Sequence, residues 1–204
     1  MRVFKRVAVV ALLTGLVAAP VAGAASASAA TKAPASSSQV WLKGGETSVT
    51  TAPGIAKTLI GHGITPSAVK PGTAWVVKGG SAVQFNFPVT GGWVNLSTLH
   101  GTIYHKGGIL FSAKHAKIEV SNFVISVHMG LLSAEVNGSP KARVNLLNVS
   151  LAHASIHKGW HWVQISGIVL TLTQPAASAL DATFHTSLFK AGLELGTATT
   201  TLRF

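Results

Sequence analysis

Phe85-Asn-Phe-Pro-Val-Thr-Gly-Gly92, Gly101-Thr-Ile-Tyr-His-Lys-Gly-Gly-Ile-Leu-Phe111 and Leu132-Ser-Ala-Glu-Val136 are the runs whose reading decides the fold class. In each, apolar and polar residues alternate with the period of a strand that buries one face. Gly91-Gly92 and Gly107-Gly108 supply the backbone freedom that tight reversals need, so the stretch 85–136 reads as successive strands joined by glycine turns. Working outward, strands are expected near 74–78, 82–89, 98–105, 108–114, 116–128, 131–137, 142–156 and 161–173. A first strand ends at Thr50, and a closing strand or pair covers 193–204. Asn137-Gly138-Ser139-Pro140, His128-Met129-Gly130 and Lys158-Gly159 mark turns. Two short segments carry helix starts, each with a threonine two before a proline: 51–60, stopped by Gly61 or Gly63, and 173–182. Short loops between closely spaced strands predict a mainly β fold, an antiparallel sandwich or strongly coiled sheet with two short helices.

The first 38 of the 204 residues do not take part in that pattern. Arg2, Lys5 and Arg6 precede an apolar run over 7–21, and small-residue triplets follow, the last of them Ala27-Ser-Ala29. The run is shorter than the roughly 18–20 residues a membrane span requires, so 1–29 reads as a secretory signal peptide, cut near Ala29 or Ala30. Residues 30–38 form a polar linker, and 39–204 a single β domain. Export makes the product extracellular or cell-envelope associated, with no transmembrane segment once the leader is gone. There is no cysteine, which excludes disulfides and thiolate-held metals.

Removing Arg2, Lys5 and Arg6 lowers the formal charge from +11 to +8. The remaining bases are mostly isolated lysines, without the aromatic-interleaved stripe that nucleic-acid binding uses. A basic exported protein instead suits an anionic cell-envelope polymer, membrane lipid or a small acidic ligand. The five acids, Glu46, Glu119, Glu135, Asp181 and Glu194, form no pair motif, and neither a Gly-x-Ser-x-Gly elbow nor a His-Glu-x-x-His helix is present. The chain therefore reads as a binding module with no catalytic residues. His153, His157 and His161 suggest a metal site only if the hairpin around Lys158-Gly159 aligns them. A two-residue turn there pairs Ile156 with His161, whereas a three-residue loop pairs Ser155 with His161 and puts His153 on the same face as His161. Trp41, Trp75, Trp93, Trp160 and Trp162 serve packing, sugar stacking or a membrane interface.

The motifs Phe85-x-Phe87-Pro88, Gly101-x-Ile103-x-His105-x-Gly107-x-x-Leu110 and Leu132-x-Ala134-x-Val136 resemble the HtaA-type module of exported bacterial haem-uptake proteins. So do Leu172-Thr173-x-x-Ala176-Ala177-x-Ala179, Phe184, Phe189 and Ala191-Gly192-x-Glu194-Leu195. The resemblance implies haem held by a tyrosine phenolate of the first helical segment, assisted by a histidine. His105 matches the histidine. Tyr104, the only tyrosine, lies on the predicted strand and not in the helix, and His62 follows the helix where the family tyrosine would stand. His105, Tyr104 and His62 are thus the candidate haem-binding residues, although strand neighbours such as Tyr104 and His105 point to opposite faces unless a bulge intervenes. The expected function is binding of haem or a related acidic ligand; the alternative is a structural or adhesive cell-surface role without a cofactor.

Overall fold

The computed structural model describes residues 38–204. The expected leader and all but the last residue of the expected linker lie outside them. Thirteen strands and two helices follow one another as β1 (Gln39–Trp41), β2 (Gly44–Thr51), α1 (Ile55–Gly61), β3 (Thr65–Val69), β4 (Thr73–Val77), β5 (Ala82–Asn95), β6 (Gly101–His105) and β7 (Gly108–Ser112). The chain continues through β8 (Lys117–Ser126), β9 (Leu131–Val136), β10 (Ser139–Ser150), β11 (Ser155–Gly159), β12 (Trp162–Leu172), α2 (Gln174–Phe184) and β13 (Glu194–Arg203).

All strand pairs are antiparallel, and eight of the strands close on themselves. β2 pairs β5, β5 pairs β6, β6 pairs β8, and the circuit returns through β9, β10, β12 and β13 to β2. The coiling expected from the sequence thus runs on to barrel closure. Alternation places Thr47, Phe85, Phe87, Ile103, His105, Ile125, Leu132, Val163 and Leu202 inside. An eight-stranded circuit is just wide enough for side chains to fill or for one small ligand.

Several expectations change. Gly91-Gly92 is no reversal but lies within β5, where the strand switches faces: Phe85, Phe87 and Val89 point inward before it, Val94 after it. The facing strand switches with it at Gly44-Gly45, because β1 and β2 pair with β5 in one continuous register, Trp41 opposite Trp93 and Glu46 opposite Pro88. Gly45 and Gly92 adopt φ of 136° and 118°, and a Cβ at either would collide with a backbone carbonyl oxygen, of Thr201 and Thr102 respectively. Only glycine meets both demands. Gly107 likewise breaks one strand into β6 and β7, both of which lie along β8. β3, with Pro66 inside it and Pro71 just beyond its end, has no counterpart among the strands expected from the sequence, because proline removes ladder donors and hides the strand pattern. It pairs only β7, and β4 pairs only β5, so the wall divides between them.

Both helices form where their signals lie, with later starts. Gly54, not Thr51, caps α1; Thr51 Oγ1 instead accepts from Val83 N–H. Thr173 caps α2 as expected, its hydroxyl accepting from Ala176 N–H. The helices follow the same ends of β2 and β12, and bury Ala56 and Leu59 from α1 and Ala176, Ala177 and Leu180 from α2.

Candidate functional site

The barrel interior beneath the two helices holds a cavity of about 300 Å³, within the size range of small-molecule sites. Phe85, Phe87, Phe123, Leu132 and Leu172 line its walls, and Leu59 of α1 and Leu180 of α2 reach it from the helices. Among its lining residues only Thr47, Thr51, Thr58 and His105 carry polar side chains. A shallower groove between β3 and β4 shares Ala56 and Pro66 with the cavity, so α1 and β3 form the partition between interior and surface. Lys70 lines that groove.

His105 closes β6 facing inward, opposite Val89, and is only 4% exposed. Its Nε2 is hydrogen-bonded to Thr47 Oγ1 at 2.7 Å, and Thr47 Oγ1 is hydrogen-bonded in turn to Thr200 Oγ1, directly across the β2–β13 pair. Nδ1 is buried without a hydrogen-bond partner, the one such side-chain atom among the described residues. Burial lowers the imidazole from its ordinary 6.5 to about 4; the backbone of Phe123 offsets part of this without reaching hydrogen-bond geometry at Nδ1. The ring is therefore neutral at pH 7, in one of two tautomers. With the proton on Nε2 and directed at Thr47, Nδ1 offers a lone pair of the kind that ligates metals; with the proton on Nδ1, it is an unused donor. A buried polar atom of either kind carries a free-energy cost that a ligand would relieve.

The other sequence candidates are elsewhere. Tyr104 pairs opposite Gly91, faces the outside of the barrel and is 47% exposed; the register shift beside it inserts Thr90 on β5, so Tyr104 and His105 stay successive on β6 and point to opposite faces. His62 is exposed at the C-terminal cap of α1. Neither lines the cavity. The proposed grouping of His153, His157 and His161 is not formed: no cluster of three metal-ligating side chains occurs among the described residues. The reason is register. Gly159 pairs with Trp162, which moves the turn to Trp160-His161, pairs Ser155 with Ser166 and His157 with Gln164, and leaves His153 before the strand. Thr47 and Thr200, the partners of His105, had no signal in sequence beyond lying at inward positions of threonine-rich strands.

No protein-family model matches the chain, and no curated protein matches it. Among solved structures, the C-terminal domain of HtaA from Corynebacterium glutamicum aligns with a TM-score of 0.54 at 16% identity, over 78% of this chain and 98% of that one. The N-terminal domain of HtaA from the same organism gives 0.49 at 14% identity over 78% and 97%, and the haem-binding protein HtaB gives 0.46 at 11% identity over 81% and 96%. The chain thus has the fold of the HtaA C-terminal domain and stands as its distant structural relative.

Proposed function

We propose that the chain is an exported, non-enzymatic binding module that takes haem, or a related ligand with an apolar body and acidic groups, into the barrel interior. The observation that carries this reading is the unpartnered Nδ1 of His105, a neutral imidazole among the apolar walls of a ligand-sized cavity. Imidazole is an established axial ligand for haem iron, and burying a porphyrin face against phenylalanine and leucine side chains supplies about 25 cal/mol per Å² of apolar surface. The residues present fit such a group: His105 would hold the iron and Thr47 would fix the ring through Nε2, among walls of phenylalanine and leucine. Haem bound here would supply its iron as the coordination centre. Likeness of fold to the HtaA domain and the motif resemblance around His105 support the same assignment.

Haemin titrated into the purified protein is expected to shift its Soret band. His105→Ala should abolish or strongly weaken the shift with the circular dichroism spectrum unchanged, and Tyr104→Phe and His62→Ala should keep it. Absence of any shift, or its loss in His62→Ala or Tyr104→Phe with His105→Ala unaffected, would overturn the interior site.

A further inference from the structure

Four of the five tryptophans stand at the end of the barrel opposite the helices. β12 runs from Trp162, paired with Arg203, towards α2, and β2 runs from Gly44, also paired with Arg203, towards α1. Around this rim Trp41 pairs with Trp93, and the Lys43 N–H donates to the Arg203 carbonyl at 2.8 Å. The β11–β12 turn projects Trp160, whose ring lies 5.0 Å from that of His161, which in turn packs on Phe204. Lys158 Nζ donates to the Leu96 carbonyl at 2.8 Å and ties the hairpin to the end of β5. Trp160 is 86% exposed and Trp41 68%.

The charge at this end is one-sided. Lys43, Lys158 and Arg203 are exposed there with His157 and His161. Glu46, two residues from Gly44 along β2, is the nearest acid, whereas Glu119, Glu135, Asp181 and Glu194 lie towards the helical end on β8, β9, α2 and β13. Neither pocket reaches the rim, so it is a projecting surface and not a cleft in which a sugar chain or peptide would be enclosed. The described chain also enters the barrel here, at Ser38 against Leu96 and Ser97.

We propose that this end docks on an anionic lipid surface, with Trp160 and Trp41 seated at headgroup depth and Lys43, Lys158 and Arg203 facing lipid phosphates. Indole rings, apolar with one polar edge, settle at that depth, and adjacent cations add attraction to an anionic leaflet. Docking in this orientation leaves the β3–β4 groove and α1 facing away from the membrane. The interaction needs no ligand in the cavity.

The test is cosedimentation of the exported protein with vesicles of phosphatidylglycerol and phosphatidylcholine in equal parts, against vesicles of phosphatidylcholine alone, with tryptophan emission recorded in parallel. Binding is expected to the anionic vesicles, with a blue-shifted emission and weakening in high salt. Trp160→Ala should lower partitioning about tenfold, as loss of a buried indole implies. Lys158→Glu should lower it by at least the same factor, while Lys114→Glu, the same charge change at the helical end, leaves it within about twofold. Failure to bind anionic vesicles, equal losses for Lys158→Glu and Lys114→Glu, or binding that is insensitive to Trp160→Ala would each overturn the proposal. So would tighter, tryptophan-independent binding to soluble polyphosphate, which would assign the surface to an anionic polymer.

Discussion

At His105 the fold keeps an imidazole neutral by burying it, with one ring nitrogen engaged and the other free. Its pKa is about 4 in the folded chain against 6.5 in the unfolded one, which has a direct consequence for stability. Above pH 6.5 both states are neutral and the residue contributes no pH dependence. As pH falls from 6.5 towards 4 the unfolded chain binds a proton that the native state resists, and stability drops by up to about 3 kcal/mol. His105→Gln removes this contribution. Urea unfolding of wild type and variant at pH 7 and pH 4.5 should show the wild type losing about 2–3 kcal/mol more than the variant, a difference in which the carboxylates cancel. Equal losses would mean the ring is not held neutral. A haemin complex made through His105 should also persist at pH 5, where an exposed histidine would be largely protonated. His105 stood out in sequence through the Gly101-x-Ile103-x-His105-x-Gly107 motif, and alternation said only that it and Tyr104 face opposite ways. Its hydroxyl partners did not stand out, since Thr47 and Thr200 are 58 and 153 residues distant from their respective partners His105 and Thr47 along the chain.

At the level of the element, the two facing glycine pairs allow two paired strands to change faces together. Gly92→Ala, which would drive Cβ into the Thr102 carbonyl at φ 118°, is expected to cost about 2–4 kcal/mol in denaturant unfolding. Gly61→Ala, in open space with no positive φ, should be neutral or slightly stabilising. A Gly92→Ala protein as stable as wild type would show that β5 does not need the switch. Removing the α2 cap by Thr173→Ala should cost about 1 kcal/mol or somewhat more, because Thr173 Oγ1 also donates to the Asn145 carbonyl at 2.7 Å. The start of α2 was readable because Thr173 and Pro175 act within a few residues, whereas at α1 Thr51 bonds elsewhere and Gly54 takes the cap. Gly91-Gly92 and Lys158-Gly159 were misplaced as turns because glycine permits a reversal and a continuing, face-switching strand equally. Partner strands decide between the two.

For the whole molecule, the reading of 1–29 as a secretory signal predicts that mass spectrometry of protein recovered outside the cell will find a mature chain beginning near Ala30 or Thr31; retention of 1–21 would make the apolar run an anchor. The sequence by itself determined the β class, the antiparallel pairing, the positions of two short helices and the opposite facing of Tyr104 and His105, because alternation, helix-start and turn residues are local properties written within a few positions. Only the tertiary structure decided that the sheet closes, that β3 and β4 stay unpaired with each other, that Tyr104 and His62 lie outside the cavity, and that His153, His157 and His161 do not converge. Each of these depends on register between strands distant in sequence. A slip of one residue reverses every side chain, so alternation defines two faces but cannot say which distant strand covers one of them.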